Sequence, residues 1–214
     1  MSQRHYTPVD HVISQLDQGL RTLFGQPEVT ERPNPAAGIP EASLNESERR
    51  HVAGLMRVDH AGEVCAQALY QGQAITARHS RVRQQMERAA QEENDHLDWC
   101  QQRLQELDSH TSVLNPFWYA GSLAIGMLAG AAGDKWSLGF VVETERQVEK
   151  HLEDHIERLP AQDQRSKAIL EQMKEDEVHH ATTALAAGGA PLPTPVKRLM
   201  RLTSKVMTTL AYRL

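Results

Sequence analysis

Glu93-Asn94-Asp95-His96 and Glu177-Val178-His179-His180 share one form, E-x-x-H. In an α-helix, residues three apart lie on one face, one turn apart, so a carboxylate and an imidazole at that spacing can bind one metal ion. A single E-x-x-H is weak, because charged helices produce it by chance and most such glutamates face solvent. Here the surroundings repeat too. Glu63 precedes Glu93 by 30 residues, and Glu145 precedes Glu177 by 32. Each interval suits an up-and-down hairpin in which the first helix turns its carboxylate toward the E-x-x-H of the second. Two hairpins then supply four carboxylates and two imidazoles, the donor set of di-iron and di-manganese carboxylate bundles. Hard oxygens with one imidazole per metal suit iron or manganese better than copper or structural zinc. Glu143 and Glu149 compete with Glu145, and spacing alone leaves Glu143 and Glu145 open.

Working outward, the chain reads as helices throughout. Ser43-Leu-Asn-Glu46 has the S-x-x-E form of a capping box, which predicts a long helix from there to about Arg78. A second helix is expected over about Ser80–Leu107, rich in Gln, Glu, Arg and Ala. Helical composition returns over about Asp134–Leu159, stops at Pro160 and resumes over about Gln162–Ala187. Four helices near 25 residues form a bundle by default. Residues 8–24 carry Val12, Ile13, Leu16, Leu20, Leu23 and Phe24 at helical spacing, and Pro27, Pro33, Pro35 and Pro40 mark a linker after them. The expected architecture is all-α: a ferritin-like four-helix bundle with an apolar crossover segment and additional N- and C-terminal helices.

Composition narrows the function. The chain has 214 residues with 28 acidic and 23 basic, net −5, which argues against nucleic acid as a partner. Two cysteines 35 apart, Cys65 and Cys100, exclude a disulfide scaffold and a cysteine zinc site, fit a reducing compartment, and read as core fillers. The first 25 residues hold four charges and no apolar run of signal-peptide length.

Two segments point to lipid. From Ser109 to Gly133, 25 residues pass without Lys, Arg, Asp or Glu. The apolar heart of that stretch, Pro116–Gly133, is 18 residues, about 27 Å as a helix and short of the hydrocarbon core of a bilayer. It lies between the two half-sites, so a single crossing would place them on opposite sides of the membrane. It is therefore expected to be the long crossover of the bundle, half in lipid, with Trp118, Tyr119 and Trp136 as interface aromatics. Residues 195–214 carry Lys197, Arg198, Arg201, Lys205 and Arg213 and no acid; removing those five leaves 18 basic against 28 acidic, so residues 1–194 carry −10. A basic, apolar tail on an acidic body reads equally as a helix lying on anionic lipid or as a terminal helix packing its Leu and Met residues on the body.

His60, one turn before Glu63, and His151, six residues after Glu145, are candidates to orient a ligand or a substrate. His179 points about 100° away from His180 and is left outside the ligand set.

Arg57-Val-Asp-His-Ala-Gly-Glu63, followed by Tyr70-Gln-Gly-Gln73, resembles the demethoxyubiquinone hydroxylase family, ferritin-like di-iron monooxygenases of ubiquinone biosynthesis. Glu93-Asn-Asp-His96 and Asp176-Glu177-Val-His-His180 match the family's two E-x-x-H motifs, and Thr144-Glu145-Arg146 with His151 downstream matches a third, which favours Glu145 over Glu143. The resemblance covers about residues 48–214, a hydroxylase domain; residues 1–47, a helix and a Pro-rich linker, receive no function. It implies that Glu63, Glu93, His96, Glu145, Glu177 and His180 hold two irons, with Glu93 and Glu177 as bridges. It implies hydroxylation of the ring of a polyprenyl demethoxyubiquinone-type quinol with O₂. On that logic His151 and Tyr70 are candidate substrate or proton contacts. The protein is expected on the cytoplasmic face of the cell membrane, peripherally bound, alone or with another copy or other ubiquinone-biosynthesis proteins. Iron storage in a ferritin-like cage is a rival, but an apolar crossover does not suit a soluble cage subunit. A non-catalytic lipid-binding assembly protein is another, disfavoured because six ligands exceed a closed structural site. A rubrerythrin-like peroxidase would bring a rubredoxin-type cysteine set, which this chain lacks.

Overall fold

The computed structural model describes residues 8–25, 27–30 and 32–214. Seven α-helices and no strand occur among them: α1 Pro8–Phe24, α2 Glu46–Thr76, α3 Ser80–Glu106, α4 Asn115–Ala131, α5 Asp134–Arg158, α6 Gln164–Ala186 and α7 Thr194–Ala211. The all-α, ferritin-like expectation stands, with α2, α3, α5 and α6 as the bundle and α4 as the crossover. The side chain of Val12 lies outside the described residues, as do residues 1–7 of the N-terminal region.

The start of α2 corrects one reading. Its cap is Asn45, not Ser43: the Asn45 side chain accepts from the amides of Ser47 and Glu48, and Glu48 accepts from the Asn45 amide. Asn is at least as good a cap as Ser, and Glu48 stands at the third helical position that a capping box needs.

α2 is the central helix, buried on nearly all sides from Val52 to Ala74. Two apolar clusters fill the bundle. At one end Met56, Trp99, Leu104, Leu152, Ile169 and Met173 pack together. At the other, Tyr70, Met86, Leu138, Val141 and Ala184 do so. Between them lies a layer of carboxylates and imidazoles. Burying such groups is costly unless something pairs them, so the two apolar ends must hold that layer in place.

The crossover α4 lies against α2 with almost no space between the backbones. A Cβ at Gly72 would stand 2.4 Å from the carbonyl oxygen of Leu123, and one at Gly126 would stand 2.3 Å from that of Leu69. Only glycine permits this approach. It lets α4 bury Tyr119 while Phe117, Ile125 and Leu128 stay exposed. α7 is divided likewise. Met207 packs against Val58 and Ala61 of α2, whereas Leu199, Leu202 and Val206 face outward. The packing of the tail on the body therefore holds for one face of α7, and the other face stands exposed. α1 rests on α2 and α4 with Leu23 inward, but Ile13, Leu16, Leu20 and Phe24 are exposed, so its apolar stripe enlarges the outer surface. No helix among the described residues is long and apolar enough to cross a membrane.

Candidate metal centre

Each bundle helix delivers its residue to the polar layer: Glu63 from α2, Glu93 and His96 from α3, Glu145 from α5, Glu177 and His180 from α6. All six are buried. They form two groups whose ligand atoms lie within 4.8 Å of one another, Glu63–Glu93–His96–Glu177 and Glu93–Glu145–Glu177–His180. Glu93 and Glu177 belong to both, and their oxygens divide between the imidazoles. Glu93 Oε2 lies 2.9 Å from His96 Nδ1 and its Oε1 lies 3.3 Å from His180 Nδ1. Glu177 Oε1 lies 3.5 Å from His96 Nδ1 and its Oε2 lies 3.7 Å from His180 Nδ1.

Several atoms of the layer lack hydrogen-bond partners: both oxygens of Glu145, Glu93 Oε1, Glu177 Oε2 and His180 Nδ1. Buried polar atoms are rarely left so. Electrostatics tells the same story. Burial and the neighbouring Glu93 push the Glu63 carboxyl well up, and burial with Glu177 does the same to Glu145. Against the desolvation of its own burial, Glu93 is held below the usual carboxylate range by His96 and His180. Packed acids that repel one another, with oxygens unpaired, are a donor set suited to a cation. Carboxylate oxygens and one imidazole per group fit iron or manganese.

The outer nitrogens of the imidazoles are crossed between half-sites. His96 Nε2 lies 2.9 Å from Asp176 Oδ2, and His180 Nε2 lies 2.8 Å from Glu92 Oε2. With Nε2 donating to a carboxylate, Nδ1 is free to ligate and its basicity rises. Sequence reasoning missed Glu92 and Asp176 in this role. The signal was present: each immediately precedes a glutamate of the layer, Glu93 or Glu177.

Other candidates fall elsewhere. Glu143 is drawn to the surface by Lys197, 2.8 Å away, so Glu145 is the residue the fold brings into the layer. His60 meets Asn115 at 3.5 Å at the start of α4. His179 is exposed. Cys100 is core, against Met173, but Cys65 borders a cavity, which corrects its reading as simple filler.

That cavity, about 330 Å³, runs beside Glu63 between α2, α4, α5 and α7, and its walls are mostly apolar, including Leu69, Trp118, Phe140 and Met207. Its polar end holds His151 and Asp59. His155 Nδ1 and His151 Nε2 lie 2.8 and 3.7 Å from the same Asp59 oxygen, and the two rings are 3.9 Å apart. Burial, then His155, pushes the His151 imidazole down to about 4, so it is neutral at pH 7. Asp59 and His155 were not foreseen, although His151 and His155 stand one helical turn apart. Tyr70, the other candidate contact, faces a second, more polar cavity beside Glu92 and His180. The fold does not bring Tyr70 and His151 to one cavity.

Known proteins share this chain's sequence nearly end to end. A family model described as "Ubiquinone biosynthesis protein COQ7" matches residues 50–211. A protein of Nitrosococcus oceani named 3-demethoxyubiquinol 3-hydroxylase is 63% identical over 212 residues, covering 99% of both chains. One of the same name from Stutzerimonas stutzeri is 60% identical over 216 residues, 100% of this chain and 99% of that one. Another, from Acinetobacter baumannii, is 59% identical over 211 residues, 99% and 100% of the two. These alignments extend across the N-terminal region that the family model leaves out. With a bundle of the expected kind and a match over most of its length, the chain belongs to the ubiquinone biosynthesis protein COQ7 family.

Proposed function

We propose that this protein is a 3-demethoxyubiquinol 3-hydroxylase that inserts one oxygen atom of O₂ into a ring C–H bond of a polyprenyl quinol at a di-iron centre. The other oxygen atom leaves as water, with two electrons and two protons supplied. The observation that carries the reading is the division of the Glu93 and Glu177 oxygens between the two imidazoles, the arrangement two bridging carboxylates require. Glu63 and His96 would complete the ligands of one iron, and Glu145 and His180 those of the other. Two irons held by these residues would supply the redox chemistry that activates O₂.

The chain's own groups do the rest. The apolar cavity admits the quinol ring beside Glu63 and keeps water out, while Phe117 and Trp118 of α4 and Met200 and Met207 of α7 leave room for the isoprenoid tail. Neutral His151, 3.7 Å from Asp59, accepts a hydrogen bond from a ring hydroxyl and so orients the ring. Tyr70, near His180, serves the opposite cavity as a proton contact. The exposed apolar residues of α1, α4 and α7, with the basic residues of α7, bind peripherally to an anionic membrane such as the cytoplasmic face of the cell membrane.

The direct test is a strain lacking this protein, with its quinones measured by mass spectrometry. The ubiquinone precursor lacking one methoxy group should accumulate and disappear on complementation with the wild type. An unchanged quinone profile in the null strain sinks the hydroxylase reading. For the membrane, the purified protein should sediment with anionic liposomes and be released by detergent. High salt should release only part of it, since screening weakens the basic contacts and leaves the apolar ones. A protein that stays in the supernatant with such liposomes would refute the membrane reading.

A further inference from the structure

The linker after α1 is a strap laid across α3 and α6, and it touches the metal layer from outside. The Glu28 carbonyl accepts from Asn94 Nδ2 at 3.0 Å. The amide and hydroxyl of Thr30 donate to the Asp95 carboxylate at 2.7 and 2.5 Å. Asn94 and Asp95 are the two interior residues of Glu93-x-x-His96, so the strap grips the turn that carries both ligands. Arg32 reaches further. Its Nη2 donates to Asp176 Oδ2 at 2.6 Å, the same oxygen that lies 2.9 Å from His96 Nε2. Its guanidinium stands 5.1 Å from the centre of the Trp99 ring, and that ring is 5.4 Å from the His96 imidazole. Two routes thus converge on one ligand. The other half-site has a looser counterpart among the described residues. Arg88, an exposed side chain of α3 itself, donates to Glu92 Oε1 at 3.1 Å, while Glu92 Oε2 lies 2.8 Å from His180 Nε2. No strap grips the turn there, where Val178 and His179 are exposed.

We propose that Arg32 is a positioning residue that aims His96 through Asp176 and Trp99, so that the strap makes the Glu63–Glu93–His96–Glu177 group hold its iron more tightly than the uncovered group holds its own. The physical reason is orientation. A ligating imidazole needs its outer N–H fixed by an acceptor, and the acceptor must itself be held. Gln172 Nε2 donates to Asp176 Oδ1 at 3.1 Å and Arg32 holds Oδ2, so both carboxylate oxygens are pinned. Without Arg32 that carboxylate, on the partly exposed rim of the layer, can turn toward water. Stacking on Trp99 suits the planar, weakly hydrated guanidinium and not a lysine ammonium. Arg32 lies ahead of the stretch matched by the family model.

The inference rests on the reading of a two-iron centre, and the test separates the two. The full-length chain, stripped of metal, is titrated anaerobically with Fe²⁺ against a chromophoric chelator. The wild type should bind two equivalents, one tighter. Arg32→Ala should weaken the tighter equivalent about tenfold and leave the other unchanged. Arg32→Lys should recover part of the loss, because the charge beside Asp176 returns but the stacking on Trp99 does not. Asn34→Ala, which removes the strap's 2.9 Å bond to Gln102 without touching Asp176, should titrate like the wild type. Cobalt loaded in place of iron should show an altered visible spectrum in Arg32→Ala alone. Two wild-type equivalents in Arg32→Ala, or an equal loss in Asn34→Ala, overturns the role of Arg32. A wild type that fails to bind two irons overturns the reading beneath it.

Discussion

Replacing Glu93 or Glu177 by alanine should strip both irons, whereas replacing Glu145 should strip one. The difference follows from membership: Glu93 and Glu177 belong to both ligand groups and Glu145 to only one. A lost bridge would leave each iron short of one oxygen in a buried layer. Disturbing an outer partner of a metal ligand already costs about 10–100-fold in affinity or activity, so a lost bridging ligand should cost at least the upper figure. Glu149, on α5 with Glu145 but outside both groups, is the control, and Glu149→Ala should retain both irons and full activity. Iron counted per chain on protein purified under identical conditions provides the measurement. Activity should fall with it, and Glu177→Ala should fail to restore the quinone profile of the null strain. Near-complete iron loading of Glu93→Ala and Glu177→Ala would end the ligand assignment. Loss of both irons in Glu145→Ala would show that the two groups do not fill independently.

Much of this centre was legible in the sequence because the chemistry is written at helical spacing. E-x-x-H is a local pattern, and its recurrence with a glutamate 30 to 32 residues upstream encodes the hairpins. What was illegible depends on contacts between distant segments. Glu143 and Glu145 are two residues apart, about 200° around the helix; spacing left them open, the family resemblance favoured Glu145, and the pairing of Glu143 with Lys197 of α7 could not be read from the sequence. The crossed partners Asp176 and Glu92 each serve the imidazole of the opposite half-site, 80 and 88 residues away. Tyr70 and His151 looked alike as polar residues near a ligand, yet they line different cavities. Arg32 sits in a proline-rich linker with no periodicity at all, so nothing local marks it. The outward turn of the α1 stripe escaped for a similar reason: amphipathicity identifies an apolar face but not what that face meets.

The substrate route makes the sharpest claim on geometry, and a single glycine tests it. Gly62 directly precedes Glu63 on α2 and borders the apolar cavity, and a Cβ built there meets nothing within 4 Å. Gly62→Leu therefore places a side chain in the open volume beside the centre without displacing backbone. Glycine within a helix is about 0.5–1 kcal/mol less favourable than alanine, and leucine is nearly as good a helix former, so the variant should be no less stable than the wild type. Its iron content should also be unchanged, since no ligand moves. Only entry of the ring is obstructed. With the quinol denied its place beside Glu63, kcat/KM should fall at least about tenfold, the factor that 1.4 kcal/mol of lost transition-state binding would produce. Steady-state kinetics, iron analysis and a thermal melt on the same preparation separate the possibilities. A variant that melts lower and loses iron has been damaged in its fold and must be replaced by Gly62→Ala, which adds only the Cβ. A stable, iron-loaded variant with wild-type kcat/KM would refute this route and place the substrate in the polar cavity lined by Tyr70, Glu92 and His180 instead.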